Sequence, residues 1–272
     1  MTVRIIVGLA LGPAFLAALF FLPPIALSVV VAVIAGMSSF ELLRAVGVAH
    51  RNGMYGCTIT AAVLVALGHG LGYGGWTARA AAILLMAALF LPGLRRYGTG
   101  EEIRFEDILT CLFAGVGLSL FLSALVQLRR LNHGQFYVLL PVICAFTTDI
   151  GAYFFGMFLG RHRGITQVSP NKSLEGYIGG ILSGCLFMLA YGLLVRQFGG
   201  VEVRLPVMAL YGLLGSAVTE FGDLSFSLIK RQCGVKDYGD LLPGHGGMLD
   251  RFDSTIFTTP MLLLLVEALP AF

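Results

Sequence analysis

Residues 227–253 form a charged segment in a chain that is otherwise strongly apolar. The segment holds four basic and four acidic side chains: Lys230, Arg231, Lys236, Arg251, Asp237, Asp240, Asp250 and Asp253. It also holds the turn Pro243-Gly244-His245-Gly246-Gly247, and glycines let a backbone approach a ligand closely. Carboxylates can ligate a divalent metal, and basic side chains can neutralise phosphates. The pattern therefore predicts a loop that binds phosphates and a metal ion.

Some acidic residues interrupt apolar runs, where a charge is costly and is a functional candidate for that reason, and we single out three of them. They are Asp149, Glu220 and Asp223. Glu220, Asp223 and Ser227 are spaced i, i+3 and i+7, so they share one face of a helix. Lys230 falls near the same stripe. We expect this face to line a polar cavity rather than to contact lipid.

Asp250 and Asp253 are three residues apart and flank Arg251. If they begin a helix, both carboxylates lie on one side of its first turn, where N-terminal capping is one interpretation. Metal binding is the other, because Mg²⁺ usually takes one or two carboxylates together with phosphates and water. We expect Asp223 and Asp250 to hold Mg²⁺. Asp149 and Asp253 are expected to shape or complete the same site.

A second polar segment, residues 169–176, precedes a long apolar run. Its small hydroxyls and its lysine, at Ser169, Lys172 and Ser173, stand before a helix N-terminus and suit a phosphate. A capping box that starts at Ser173 explains part of the same pattern. Both interpretations remain open at this point.

The elements that must position these residues are transmembrane helices. The chain has 57% apolar and 12% charged residues and a mean hydropathy of +0.87, whereas soluble domains carry about 25% charged residues. Apolar segments of about 20 residues cross the hydrocarbon as helices. We identify nine candidates, at roughly 3–22, 25–46, 57–73, 78–94, 108–128, 135–160, 176–196, 206–229 and 255–272.

These spans predict an all-α fold, a polytopic membrane helix bundle of about nine transmembrane helices. We expect an N-terminal region of about five spans at 1–134 and a C-terminal catalytic region at 135–272. Within the second region, Gly176, Gly180 and Gly184 recur at four-residue intervals. That ridge indicates close packing against another helix.

Positive charge is distributed unevenly between the two sides of this bundle. Thirteen lysines and arginines fall on the side of the N-terminus and five on the other. The positive-inside rule then places the N-terminus in the cytoplasm, together with loops 161–175 and 230–254. We expect an integral protein of the bacterial inner membrane whose active site faces the cytoplasm. The net charge of +3 is too small to indicate a nucleic-acid partner.

The charged segment resembles the signature of the phosphatidate cytidylyltransferases, also called CDP-diacylglycerol synthases. The resemblance rests on Ser227, Lys230-Arg231, Lys236-Asp237, Pro243, His245-Gly246-Gly247, Asp250-Arg251 and Asp253. Three earlier motifs are also similar to the family, at Asp149-Ile150-Gly151-Ala152-Tyr153, Ser169-Pro170-Asn171-Lys172-Ser173-Leu174-Glu175-Gly176 and Gly222-Asp223-Leu224. The similarity covers roughly residues 145–260. In one departure, Phe226 stands where family members often have glutamate.

The resemblance implies a dimeric membrane enzyme that joins CTP to phosphatidic acid and gives CDP-diacylglycerol and pyrophosphate. It also implies a centre with Mg²⁺ and K⁺ as a candidate second ion, and assigns the metal to Asp223 and Asp250. We expect the catalytic residues to be Asp223, Asp250, Lys230, Arg251, Asp149 and Asp253. We expect the substrates to contact Ser169, Lys172, Ser173, Ser227, Arg231, Lys236, His245, Gly246 and Gly247.

Other functions fit parts of the same pattern. Phe226 leaves open a related nucleotidyltransferase that acts on another lipid phosphate, or a scaffold without activity. Intramembrane acids such as Asp149 and Glu220 also suit a cation-coupled transporter. Transporters tend to show repeated halves, and we find no internal repeat. No residue in the sequence identifies the base, so CTP rests on the resemblance alone.

Overall fold

Helices account for nearly all of the regular structure in the computed structural model, which describes residues 2–48, 53–100, 102–164, 166–240 and 246–272, with side chains from residue 12 onward. The first half contains α1 (Thr2–Phe21), α2 (Pro24–Val46), α3 (Met54–Leu71), α4 (Gly74–Arg96), α5 (Phe105–Leu112), a π-helical turn (Phe113–Gly117) and α6 (Leu118–Arg130). The second half contains α7 (Gly134–Tyr137), α8 (Leu140–Leu159), α9 (Leu174–Phe198), α10 (Leu205–Gln232) and α11 (Leu249–Ala268). The described residues form no β-strand.

The prediction of a polytopic helical membrane protein is confirmed, and each of the nine predicted spans coincides with helix. Within the described residues, seven helical segments are long and apolar enough to cross a membrane, between α2 and α10. The part of α1 with described side chains, Gly12–Phe21, is shorter than a span. Helix α11 carries Asp250, Arg251 and Asp253 near its start, and it is not among the seven. The count of nine spans and the cytoplasmic N-terminus stay predictions.

The chain divides into two compact units, and the boundary does not follow the chain order. The first unit comprises residues 1–127 and 233–251, and the second comprises residues 128–232 and 252–272. Most of the charged segment therefore groups with the N-terminal helices.

In the first unit, α3 packs between its sequence neighbours α2 and α4 and against the π-helical turn. Ser39 Oγ on α2 donates a hydrogen bond to the Ala114 carbonyl oxygen, at 2.6 Å. A Cβ at Gly115 would lie 3.0 Å from the Thr58 carbonyl oxygen. The turn thus has its small residues where the helices approach most closely.

In the second unit, α9 packs against α8 and α10 along the predicted glycine ridge. A Cβ at Gly176 would lie 3.0 Å from the Ala152 carbonyl oxygen, and one at Gly180 would lie 3.0 Å from the Thr148 carbonyl oxygen. Thr148 Oγ1 on α8 donates to Ser216 Oγ on α10, at 2.8 Å. The ridge lets three helices meet at this polar contact.

Gly184→Ala should destabilise the protein by about 1–3 kcal/mol, because the new methyl group overpacks this contact. The added Cβ would overlap Ser216 Oγ and lie 2.8 Å from Thr148 Oγ1. Gly56→Ala in α3 is the matched control, since a Cβ there meets nothing within 4 Å. Thermal unfolding of both variants in one detergent checks the difference. Equal melting temperatures would show that the ridge is not tightly packed.

Candidate active site

Four carboxylates and two ammonium groups lie close together among the described residues of the second unit. The carboxylates, which we call the acidic cluster, belong to Asp149 on α8, Glu220 and Asp223 on α10, and Asp253 on α11. The ammonium groups belong to Lys172, in the loop before α9, and Lys230, near the end of α10. Helix α10 presents Glu220 and Asp223 on one face, as their spacing predicts.

Lys172 joins the two carboxylates of α10. Its Nζ lies 2.7 Å from Glu220 Oε2 and 2.5 Å from Asp223 Oδ2. The side chains of Lys172 and Asp223 are 25% exposed, and that of Glu220 is 5% exposed. Burial disfavours the charged amine, but Asp223 and Glu220 outweigh burial and raise the pKa of Lys172. Lys172 is therefore a permanent cation that reaches the open side of the acidic cluster.

The loop that carries Lys172 is held at both of its ends. Glu175, in the first turn of α9, accepts hydrogen bonds from the Arg161 and His162 backbone N–H groups, at 3.2 Å for the same Oε2 atom. Ser173 Oγ caps α9 by accepting from the Gly176 N–H, at 3.1 Å. The capping interpretation of Ser173 is confirmed, whereas its contact with a phosphate stays a prediction. Sequence reasoning missed the role of Glu175 in this loop.

The other half of the acidic cluster is built by α8 and α11. Lys230 Nζ lies 3.4 Å from Asp253 Oδ2. Asp253 Oδ1 accepts from the Ser254 N–H at 2.8 Å, and Ser254 Oγ donates to Asp149 Oδ2 at 3.2 Å. Because α11 begins at Leu249, Asp253 lies beyond its first turn and does not act as its N-cap.

This arrangement fits a divalent cation by its charge and by one unsatisfied atom. If all four carboxylates are ionised, they outnumber the two ammonium groups by two charges. Glu220 Oε1 is buried and has no hydrogen-bond partner among the described residues, which is costly unless a cation approaches it. Across the described ranges, no three acidic, histidine or cysteine side chains form a metal site by themselves. Mg²⁺ suits this setting, since it takes few carboxylates and completes its shell with phosphates and water.

In the first unit, the Asp250 carboxylate binds two backbone N–H groups of the segment that precedes it. Its Oδ2 accepts hydrogen bonds from the Tyr238 N–H at 2.8 Å and from the Gly247 N–H at 3.0 Å. Gly246 has a φ of +79°, a conformation that side chains with a Cβ rarely adopt. The carboxylate thus reaches back along the loop instead of capping its own helix. Asp223 and Asp250 belong to different units, so their joint binding of Mg²⁺ stays a prediction.

The remaining predicted site residues have diverse environments. Arg231 Nε donates to the Val168 carbonyl oxygen at 3.4 Å, close to Ser169. Ser227 is half-buried, whereas Lys236 and Arg251 are exposed. His245 lies outside the described residues. None of these observations assigns a substrate contact, so their roles stay predictions.

Phe226, the departure from the family pattern, has a packing role. Its side chain is fully buried, and its ring centroid lies 5.9 Å from that of Phe257 on α11. Phe257 also meets Phe221 edge-on at 5.4 Å. The residue that replaces an acid therefore helps to hold α10 against α11.

Comparison with known proteins gives a consistent family. The model of the cytidylyltransferase family matches residues 2–269. The phosphatidate cytidylyltransferase of Staphylococcus aureus strain COL is 37% identical over 173 residues, which are 62% of this chain and 63% of that protein. The enzyme of the same name from Staphylococcus epidermidis strain RP62A is 36% identical over 170 residues, which are 61% of this chain and 62% of that protein. The chain thus spans less than two thirds of the length of these curated relatives.

Proposed function

The chain belongs to the cytidylyltransferase family, and we propose that it is a phosphatidate cytidylyltransferase. Its substrates would be CTP and phosphatidic acid, and its products CDP-diacylglycerol and pyrophosphate. The names of its relatives support this reaction. The observation that carries the proposal is the acidic cluster with Lys172 bound to Glu220 and Asp223. The carboxylates suit a divalent ion, and the neighbouring ammonium groups of Lys172 and Lys230 suit phosphate oxygens.

The principal obstacle to this reaction is the repulsion between two polyanions. A phosphomonoester with a second pKa of about 6 is already ionised at neutral pH, so no strong general base is needed. Catalysis then consists of positioning and charge neutralisation. An oxygen of the lipid phosphate attacks the α-phosphorus of CTP, and the bond from that phosphorus to the β-phosphate oxygen breaks. Pyrophosphate leaves with the electron pair of the broken bond.

The basic side chains around the site would neutralise the phosphates. Lys172 and Lys230 are held by carboxylates, so they can exchange these partners for phosphate oxygens. Arg231, Lys236 and Arg251 would bind the remaining phosphate charge. Ser169, Ser173 and Ser227 would supply hydroxyl donors. Gly246, Gly247 and His245 stay predicted substrate contacts, although the Gly247 N–H donates to Asp250 Oδ2.

The acidic side chains would hold the metal. A bound Mg²⁺ would neutralise charge on the CTP phosphates, and K⁺ is the candidate for a second ion. Asp223 and Asp250 stay the predicted Mg²⁺ ligands, with Asp149 and Asp253 in support. The unpaired Glu220 Oε1 adds a donor that the sequence-based prediction did not include.

The membrane determines how the substrates arrive. The acyl chains of phosphatidic acid are costly to remove from the bilayer, so the lipid would enter sideways between helices. CTP would enter from the cytoplasm, to which we assign loops 161–175 and 230–254. We also propose insertion in the bacterial inner membrane and a homodimeric assembly.

Purified protein in detergent, given Mg²⁺, CTP and phosphatidic acid, should form CDP-diacylglycerol, which mass spectrometry can detect. Parallel assays with ATP, GTP and UTP, and with other lipid phosphates, separate this function from that of a related nucleotidyltransferase. Asp223→Asn is the inactive control. Folded protein that forms no nucleotide-linked lipid, but moves cations into liposomes, would support a transporter instead.

A further inference from the structure

A buried carboxylate in the first unit has no part in the mechanism above. Glu41 lies near the end of α2 and is 5% exposed. Its Oε1 accepts a hydrogen bond from the Met248 N–H at 2.9 Å, and its Oε2 accepts from the Leu249 N–H at 2.7 Å. An acid in an apolar span is a functional candidate, and this one binds backbone more than 200 residues away.

The two amides belong to the start of α11, where the first N–H groups of a helix have no partner within the helix. Glu41 satisfies two of these donors and places a negative charge at the positive end of the helix dipole. The next residue along the chain is Asp250, which binds the Tyr238 and Gly247 N–H groups. Two carboxylates therefore hold four backbone amides around one turn.

Two glycines of the signature segment make room for Glu41. A Cβ at Gly239 would lie 2.7 Å from Glu41 Oε1, and a Cβ at Gly247 would lie 2.5 Å from Oε2. Real Cβ contacts are longer than 3.0 Å, so alanine at either position would displace the carboxylate. Gly239 and Gly247 can approach Glu41 this closely only because they lack side chains.

We infer that Glu41 is a positioning residue that fixes the start of α11 and thereby orients the Asp250 carboxylate. It acts through Asp250 and touches neither substrate. The inference rests on the proposed function for its catalytic consequence, but the contact between Glu41 and α11 can be measured without activity. This contact ties α2, from the part of the chain without signature motifs, to the signature segment.

Hydrogen exchange of the peptide that contains Met248 and Leu249 measures the contact directly. In Glu41→Met, both amides lose their acceptor, so they should exchange about tenfold faster or more, given the strength of hydrogen bonds to charged groups. Glu41→Gln keeps one acceptor oxygen and should give an intermediate rate. Both variants should fold, because methionine and glutamine are close to glutamate in size and Glu41 borders an open pocket.

Steady-state kinetics measure the consequence for catalysis. A group that orients a ligand indirectly typically contributes a factor of about 10- to 100-fold to activity. We expect kcat, per folded molecule, to fall by about this factor in Glu41→Met and by less in Glu41→Gln, while KM for the lipid stays unchanged. A purely structural residue would lower the melting temperature and the folded fraction but leave kcat per folded molecule intact.

Ser39→Ala, two residues away on α2, is the matched control. Ser39 is buried and bonds to Ala114, so its loss should reduce stability without affecting α11 exchange or kcat. Wild-type protein without cytidylyltransferase activity would refute the proposed function and, with it, the catalytic role of Glu41. If the wild-type protein is active but Glu41→Met changes neither the hydrogen exchange of Met248 and Leu249 nor kcat, this inference alone is refuted.

Discussion

Lys172→Met should destabilise the protein by about 3 kcal/mol and remove nearly all cytidylyltransferase activity. Removing one partner of a buried ion pair leaves an uncompensated charge, which costs about 3–5 kcal/mol; partial exposure of Lys172 favours the lower end. The Glu220 and Asp223 carboxylates would then repel each other, and the Glu220 side chain is only 5% exposed, so water screens this repulsion poorly. Methionine keeps the length and the apolar stem of lysine, so packing changes little.

Thermal unfolding without divalent cations measures this effect most clearly, since an added cation would replace the lost ammonium group. The double variant Lys172→Met with Glu220→Gln should recover more than about 1 kcal/mol of the lost stability, because it removes the stranded charge. It should not recover activity. Lys236→Met, at an exposed position, should change stability by less than about 0.5 kcal/mol. A Lys172→Met variant as stable as wild type would show that the ion pairs have no net stabilising effect.

Asp250→Asn should reduce kcat by about 10²–10³-fold and leave the loop intact, because the variant would lose a ligand of the proposed Mg²⁺, which would neutralise transition-state charge. Both loop hydrogen bonds go to the same atom, Oδ2. An asparagine with its carbonyl oxygen in that place keeps both of these hydrogen bonds and loses the negative charge. Asp250→Ala removes the charge and the acceptor together, so it should also release the turn.

Hydrogen exchange at the Tyr238 and Gly247 amides separates the two effects. We expect wild-type protection in Asp250→Asn and lost protection in Asp250→Ala, with both variants nearly inactive. The two variants thereby distinguish the charge of Asp250 from its role in the loop. Near-normal turnover in Asp250→Asn would exclude this carboxylate from the proposed metal site.

The sequence alone was sufficient to predict the helices and part of the acidic cluster. The length of an apolar segment predicts a span because only segments that satisfy their own backbone hydrogen bonds can cross a membrane. Helices α8, α9 and α10 lie within a few residues of the expected spans. Helical periodicity likewise placed Glu220 and Asp223 on one face, which their shared contact with Lys172 confirms. The resemblance to the family came from the ordered signature residues, without reference to the fold.

Contacts between elements required the tertiary structure. Lys172 reaches Glu220 across 48 residues, and Glu41 reaches Leu249 across 208. Periodicity relates only residues of the same helix, so it cannot show which distant backbone an acid will bind. One feature of the sequence points to Glu41, namely a charge within an apolar span. Its partners are backbone N–H groups, which every residue except proline has, so the sequence does not identify them. Side-chain chemistry thus selects the candidate site residues, whereas packing decides which neighbours hold them in place.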